Sequence, residues 1–152
     1  MIRKLFVQVI ESISVSVETE VDRDAALRLA TAVLMIDVAR ADNVFDESEF
    51  DRMLQLVQQH FNLPPEAAAE LVNLASETAE DIVSVHEFTE LLHEHLDEAE
   101  KARIVGLLWE IAYADGRLDK YEDSLVLKIS DLLYVSRPKV MRLKHDASQR
   151  AD

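Results

Sequence analysis

No cysteine occurs among the 152 residues. Its absence excludes a disulfide framework, a thiol nucleophile, a thiolate zinc site and a cysteine-held iron–sulfur cluster, and it suits a reducing compartment. Glycine is almost missing, with only Gly106 and Gly116. Two glycines cannot build a P-loop or a GxGxxG turn, where backbone must approach a phosphate closely. Bases are scarce beside acids, 16 against 30, for a formal net charge of −14. Such a surface repels nucleic acid and anionic lipid and attracts cations or basic partners. Long apolar runs are also lacking. The best one, Leu29 to Ile36, falls well below the roughly 18 residues that a membrane span requires. What remains is an acidic chain long enough to bury a core without a staple.

Near the N-terminus, Leu5, Phe6, Val9, Ile10, Ile13 and Val17 fall on one helical stripe. Gln8, Glu11, Ser12 and Ser14 interrupt it, so it does not read as the apolar region of a signal peptide. Residues 1–22 are expected to form an amphipathic helix. It would pack on the domain or on a second copy in a homodimer, or else lie on a membrane surface. Residues 23–147 form the expected helical domain, and 148–152 a disordered tail. Arg137, Lys139, Arg142, Lys144 and Arg150 make the far end basic. These bases are expected to lie on the chain's own acidic surface or to stay solvated.

Apolar residues recur at helical spacing through most of the chain, and no alternating run competes with them. The spacing predicts an all-α, compact bundle of about eight helices, near 3–18, 23–41, 46–60, 65–77, 84–95, 98–114, 119–133 and 136–147. Ser84 with Glu87 and Asp97 with Glu100 have capping-box spacing, in which each partner satisfies an orphan backbone N–H. Val83 and Phe88 bracket the first box as a hydrophobic staple. Pro64-Pro65 ends one helix and begins the next. Ser136 with Pro138 opens the last. Residues 25–39 and 102–114 are apolar nearly all round, which predicts two central helices wrapped by the others. Gly106 lies inside the second, where it implies a close helix approach.

The sequence also repeats itself. Ile36 to Glu49 matches Trp109 to Glu122 at an offset of 73 residues without a gap. The match continues as Met53, Leu54 and Leu56 against Val126, Leu127 and Ile129. The pattern in common is Ala-Asp-(Asn/Gly)-x-(Phe/Leu)-Asp-x-x-Glu, which reads as two copies of a helix–loop–helix unit. Asn43 and Gly116 are the residue types that best tolerate a left-handed C′ position, so the incoming helices are expected to end at Asp42 and Asp115. Asp46 and Asp119 read as N-caps, and Glu49 and Glu122 as their capping-box partners. Phe45 can staple to Phe50, whereas Leu118 meets Asp123 at that place.

Capping accounts for Asp46, Glu49, Asp119 and Glu122, but not for Asp42 and Asp115. A carboxylate at a helix C-terminus faces the negative end of the dipole, at a cost of about 0.3–1 kcal/mol. An Asx-turn to the loop's own N–H groups would offset that cost. So would a cation bridging Asp42, Asp46 and Glu49, or Asp115, Asp119 and Glu122. Three carboxylates with carbonyls and water make an all-oxygen site suited to Ca²⁺, Mg²⁺ or Mn²⁺. The spacing differs from an EF-hand, which takes ligands from six positions of a longer loop with a central Gly.

The doubled acidic motif on an all-helical chain resembles the tellurite-resistance TerB-like family, over roughly residues 25–142. The resemblance implies a helical bundle in a bacterial cytoplasm, with an acidic face that engages metal ions or a partner protein. Relatives of the domain are fused to other modules, including a membrane-anchored DnaJ-type co-chaperone, so a membrane-associated partner is within its scope. The family positions carried over are Asp42, Asp46, Glu49, Asp115, Asp119 and Glu122. Asn43 departs from the family's usual Gly. The chain offers no thiol or redox motif for tellurite chemistry.

Other constellations are weaker. His86, Glu90 and His93 share a helix face, but the outer two lie about 10 Å apart along the axis, so a solvated polar face explains them better than a metal site. Trp109 on a buried helix reads as core. No serine or threonine sits in a nucleophile elbow. The leading reading is a non-enzymatic binding module whose acidic loops take a divalent cation or a basic partner protein. The alternatives are a purely structural domain with capping acids, and a hydrolase using a loop carboxylate.

Overall fold

The computed structural model describes residues 20–41, 47–82, 84–114 and 116–151. These contain seven helices: α1 (Glu20–Ala39), α2 (Glu47–Phe61), α3 (Pro65–Asp81), α4 (His86–His95), α5 (Glu98–Ala112), α6 (Lys120–Leu132) and α7 (Arg137–Ala151). The expected helix at 3–18 lies outside the described residues, as do Asp42 to Asp46, Val83 and Asp115. Among the described residues the architecture is all-helical, and no helix is long and apolar enough to cross a membrane.

The two helices without a polar face are the centre of the bundle. In α1, Leu29 to Ile36 are buried without a break. In α5, Ile104, Val105, Leu107, Leu108, Trp109, Ile111 and Ala112 are buried. α1 packs against α2, α3, α4, α5 and α6, and α5 against α1, α2, α6 and α7. Hydrophobic burial on nearly all sides leaves them little choice of orientation. Trp109 is fully enclosed and donates its indole N–H to the Val140 carbonyl of α7 at 3.2 Å, so it is core.

Several helix ends follow the expected chemistry. Asp97 and Glu100 form the reciprocal capping box of α5, with bonds of 2.8 and 3.1 Å. Pro65 opens α3 after Pro64, where a missing N–H costs nothing. Others differ. α4 begins at His86, not Ser84, and the Ser84 hydroxyl accepts from the His86 N–H at 3.1 Å. Ser84 therefore holds the turn before the helix, and the expected box with Glu87 is displaced. α5 stops at Ala112, short of Asp115. α7 continues to Ala151, where a disordered tail was expected from residue 148. Its bases hold it to the body: Arg137 to Asp131 at 3.0 Å, Lys144 to Asp123 at 2.7 Å and Arg150 to Glu110 at 2.8 Å. Three of the five bases at this end thus lie on the chain's own acids. Gly106 does not mark a close approach, because a Cβ there would meet only Leu143 Cδ2, at an ordinary 3.8 Å.

Candidate functional site: two paired acidic bends

The repeat is visible in the backbone. At the end of α1, the Arg40 N–H donates to Ile36 O at 3.0 Å and the Ala41 N–H to Val38 O at 3.1 Å. At the end of α5, the equivalent Tyr113 and Ala114 N–H groups donate to Trp109 O and Ile111 O at the same 3.0 and 3.1 Å. Both incoming helices thus close with one hydrogen-bond pattern. The outgoing helices agree as well. Glu49, Met53, Leu56 and Val57 are the buried positions of α2, and Glu122, Val126, Ile129 and Ser130 those of α6. Each residue of the first set stands 73 positions before its counterpart in the second.

The second bend is described except for Asp115. The Gly116 N–H donates to Tyr113 O at 2.9 Å, and Gly116 takes a φ of +85°, the left-handed conformation expected of it. Asp119 is the N-cap of α6. Its carboxylate accepts from the Tyr121 N–H at 2.8 Å, one residue short of the capping-box bond to Glu122. Leu118 packs on the core, and Asp123, which stands where Phe50 does in the first copy, pairs with Lys144 of α7. In the first bend, Asp42 and Asp46 lie outside the described residues, and so does the Phe45 staple.

Glu49 and Glu122 are buried, only 3% and 2% exposed. A buried carboxylate needs its oxygens satisfied, and the same burial recurs at the same place in both units. The sequence did carry the signal: each Glu sits four and seven residues before buried apolar side chains, on the inward stripe of its own helix.

The units are interleaved. α2, leaving the first bend, packs against α5, which enters the second, and α6 packs against α1. Arg52 of α2 lies 3.7 Å from Glu110 of α5. The charge of Lys128 on α6 acts on Asp37 of α1. Asp37 and Glu110 occupy the same position of the repeat. Burial is nonetheless the larger influence on Asp37 and raises its pKa above the ordinary 3.8, against the attraction of Lys128 and Arg40. A 280 Å³ cavity beside the second bend is lined by Arg52, Glu110, Tyr113, Ala114, Ala147 and Arg150. The helix leaving the first bend therefore runs alongside the second.

Among the described residues, no three His, Asp or Glu side chains gather as a metal-holding group. Asp42, Asp46 and Asp115, half of the six expected ligands, lie outside those residues. The histidine face on α4 does not converge. His86 stands 3.8 Å from Glu90, while His93 Nδ1 takes a hydrogen bond from Lys101 Nζ at 3.0 Å and its ring lies 4.5 Å from that of Tyr134.

Residues 28–145 match the family model of tellurite resistance protein TerB. No curated protein and no solved structure matches the chain.

Proposed function

Because the chain belongs to the family of tellurite resistance protein TerB, we propose that it is a non-enzymatic, cytoplasmic binding module of that family whose paired acidic bends take a divalent cation, a basic partner protein, or one through the other. The observation that carries this reading is the burial of Glu49 and Glu122 at equivalent places. Capping an exposed helix end does not require a carboxylate to leave water. A carboxylate directed inward at the root of a bend does fit a role in shaping a charged site. Glu49 would serve with Asp42 and Asp46, and Glu122 with Asp115 and Asp119. Their oxygens suit a hard cation such as Ca²⁺, Mg²⁺ or Mn²⁺. A bound cation would neutralise the carboxylates and stabilise the fold by mass action.

The test follows melting temperature during titration with each of the three ions, in the wild type and in Asp115→Asn. A saturable rise in the wild type that Asp115→Asn loses supports the cation site. Flat curves in both, together with no capture of a basic partner by the wild type that Asp115→Asn fails to capture, leave the acids as helix caps and defeat the proposal.

A further inference from the structure

A second cavity lies at the other end of the two central helices. Asp24, Leu27, Arg28 and Thr31 of α1 form one side, and Glu100, Arg103 and Ile104 of α5 another. His60 and Phe61 at the end of α2, with Leu96, complete it. The bends begin beyond Ala39 and Ala112, the opposite ends of the same two helices. The volume is 230 Å³, just below the roughly 300–1,000 Å³ of pockets for drug-sized ligands.

The cavity is graded by burial. Thr31 and Ile104, each 2% exposed, make its floor. Leu27, Arg28, His60, Phe61 and Leu96 are half-buried walls, and Asp24, Glu100 and Arg103 are exposed at the mouth. Arg40, Arg52, Arg137 and Arg150 each have a carboxylate within 4.0 Å. Arg28 and Arg103 do not pair with any carboxylate among the described residues. Both of these guanidiniums line one cavity, in a chain with nearly twice as many acids as bases. Glu100, the nearest acid in sequence to Arg103, is held by the Asp97 backbone N–H at 3.1 Å.

The donors for a guest follow by elimination. The Thr31 hydroxyl already gives its proton to Leu27 O at 2.9 Å. Burial, helped by the charge of Arg103, lowers the His60 pKa below its ordinary 6.5, so at neutral pH the ring is uncharged and offers one N–H. Phe61 meets that ring edge-on at 4.6 Å. The guanidiniums of Arg28 and Arg103 and the His60 imidazole are therefore what an anion would meet. Asp24 and Glu100 balance the two arginines in formal charge, which disfavours a dianion and leaves room for a single negative charge. Leu27, Phe61, Leu96 and Ile104 supply apolar wall for the rest of such a molecule.

We propose that this cavity binds a small organic monocarboxylate with an apolar body, its carboxylate held by Arg28, Arg103 and His60 and its body against Leu27, Phe61 and Leu96. Guanidinium pairs bidentately with carboxylate, which sets the head-first orientation. The site is independent of the acidic bends and of any cation there.

The test is an NMR titration of the full chain with benzoate, benzamide and inorganic phosphate in parallel. Benzoate is expected to shift the amide signals of Thr31, Phe61 and Leu96 saturably at millimolar concentration. Benzamide, which has the same shape without the charge, and phosphate, which has charge without an apolar body, should not. Arg28→Gln with Arg103→Gln should weaken benzoate by about tenfold or more; Arg103→Gln alone, at an exposed site, is the second variant if the double one fails to fold. No saturable response to benzoate, an equal response to benzamide or to phosphate, or undiminished binding by the folded arginine variant would each overturn the proposal.

Discussion

Arg52, in the second turn past the first acidic bend, lies 3.7 Å from Glu110, whose other oxygen takes Arg150 of α7 at 2.8 Å. One carboxylate on the helix entering the second bend thus joins the helix leaving the first to the C-terminal helix. Glu110 is only 15% exposed, so its two contacts are less screened than those of an ordinary surface pair. The unequal distances give an ordering. In double-mutant cycles followed by urea denaturation, the Glu110–Arg150 coupling should reach about 0.5–1 kcal/mol, with Glu110–Arg52 below it. Equal couplings, or none at Arg150, would contradict the geometry.

Asp37 is the counterpart of Glu110, and its pH behaviour has a definite sign. Its folded pKa lies above the ordinary 3.8 because burial outweighs Lys128 and Arg40. The native state therefore holds this proton more tightly than the unfolded chain does. Stability from this group is present below pH 3.8 and is lost as the pH rises through the folded pKa. Asp37→Asn should raise the melting temperature at neutral pH, with the advantage shrinking on acidification. Lys128→Gln should push the Asp37 pKa higher still, read by carboxyl-carbon NMR titration.

The fold was legible where one element decides its own fate. The all-round apolar character of 25–39 and 102–114 placed the central helices, and Asp97 with Glu100 and Pro64-Pro65 marked real helix starts. Gly116 is left-handed as its residue type implied. The misses have local causes. The capping-box spacing of Glu49 and Glu122 carries no information on burial, although both lie on the inward stripes of their helices. Ser84 was read as a cap one turn geometry too early, since its hydroxyl serves His86, two residues on. The Arg52–Glu110 contact and the Arg28–Arg103 cavity join residues 58 and 75 positions apart, a separation at which periodicity and capping carry no information.

His60 titrates in the opposite sense to Asp37. Burial first, and Arg103 second, hold its pKa below 6.5. The unfolded chain therefore takes up this proton first as the pH falls. The contribution of His60 to stability is full above pH 6.5 and declines from there towards its folded pKa. Relative to His60→Gln, the wild type should lose melting temperature as the pH drops through that window, and the gap between them should be constant above it. Arg103→Gln should raise the His60 pKa, while burial keeps it below 6.5, as imidazole NMR titration would report.

Gly106 gives the simplest stability prediction. It lies inside α5, where glycine costs about 1 kcal/mol against alanine through backbone entropy. Its φ is not in the left-handed region, and a Cβ would rest 3.8 Å from Leu143 Cδ2, in ordinary contact with α7. Nothing opposes the gain. Gly106→Ala should stabilise the chain by about 1 kcal/mol and raise its melting temperature by about 2–4 °C. Gly106→Leu sends three more carbons towards Leu143 and should destabilise it, by about 1–3 kcal/mol where the helices cannot part. A calorimetric scan in which alanine also lowers the melting temperature would mean that α5 and α7 lie closer than 3.8 Å permits.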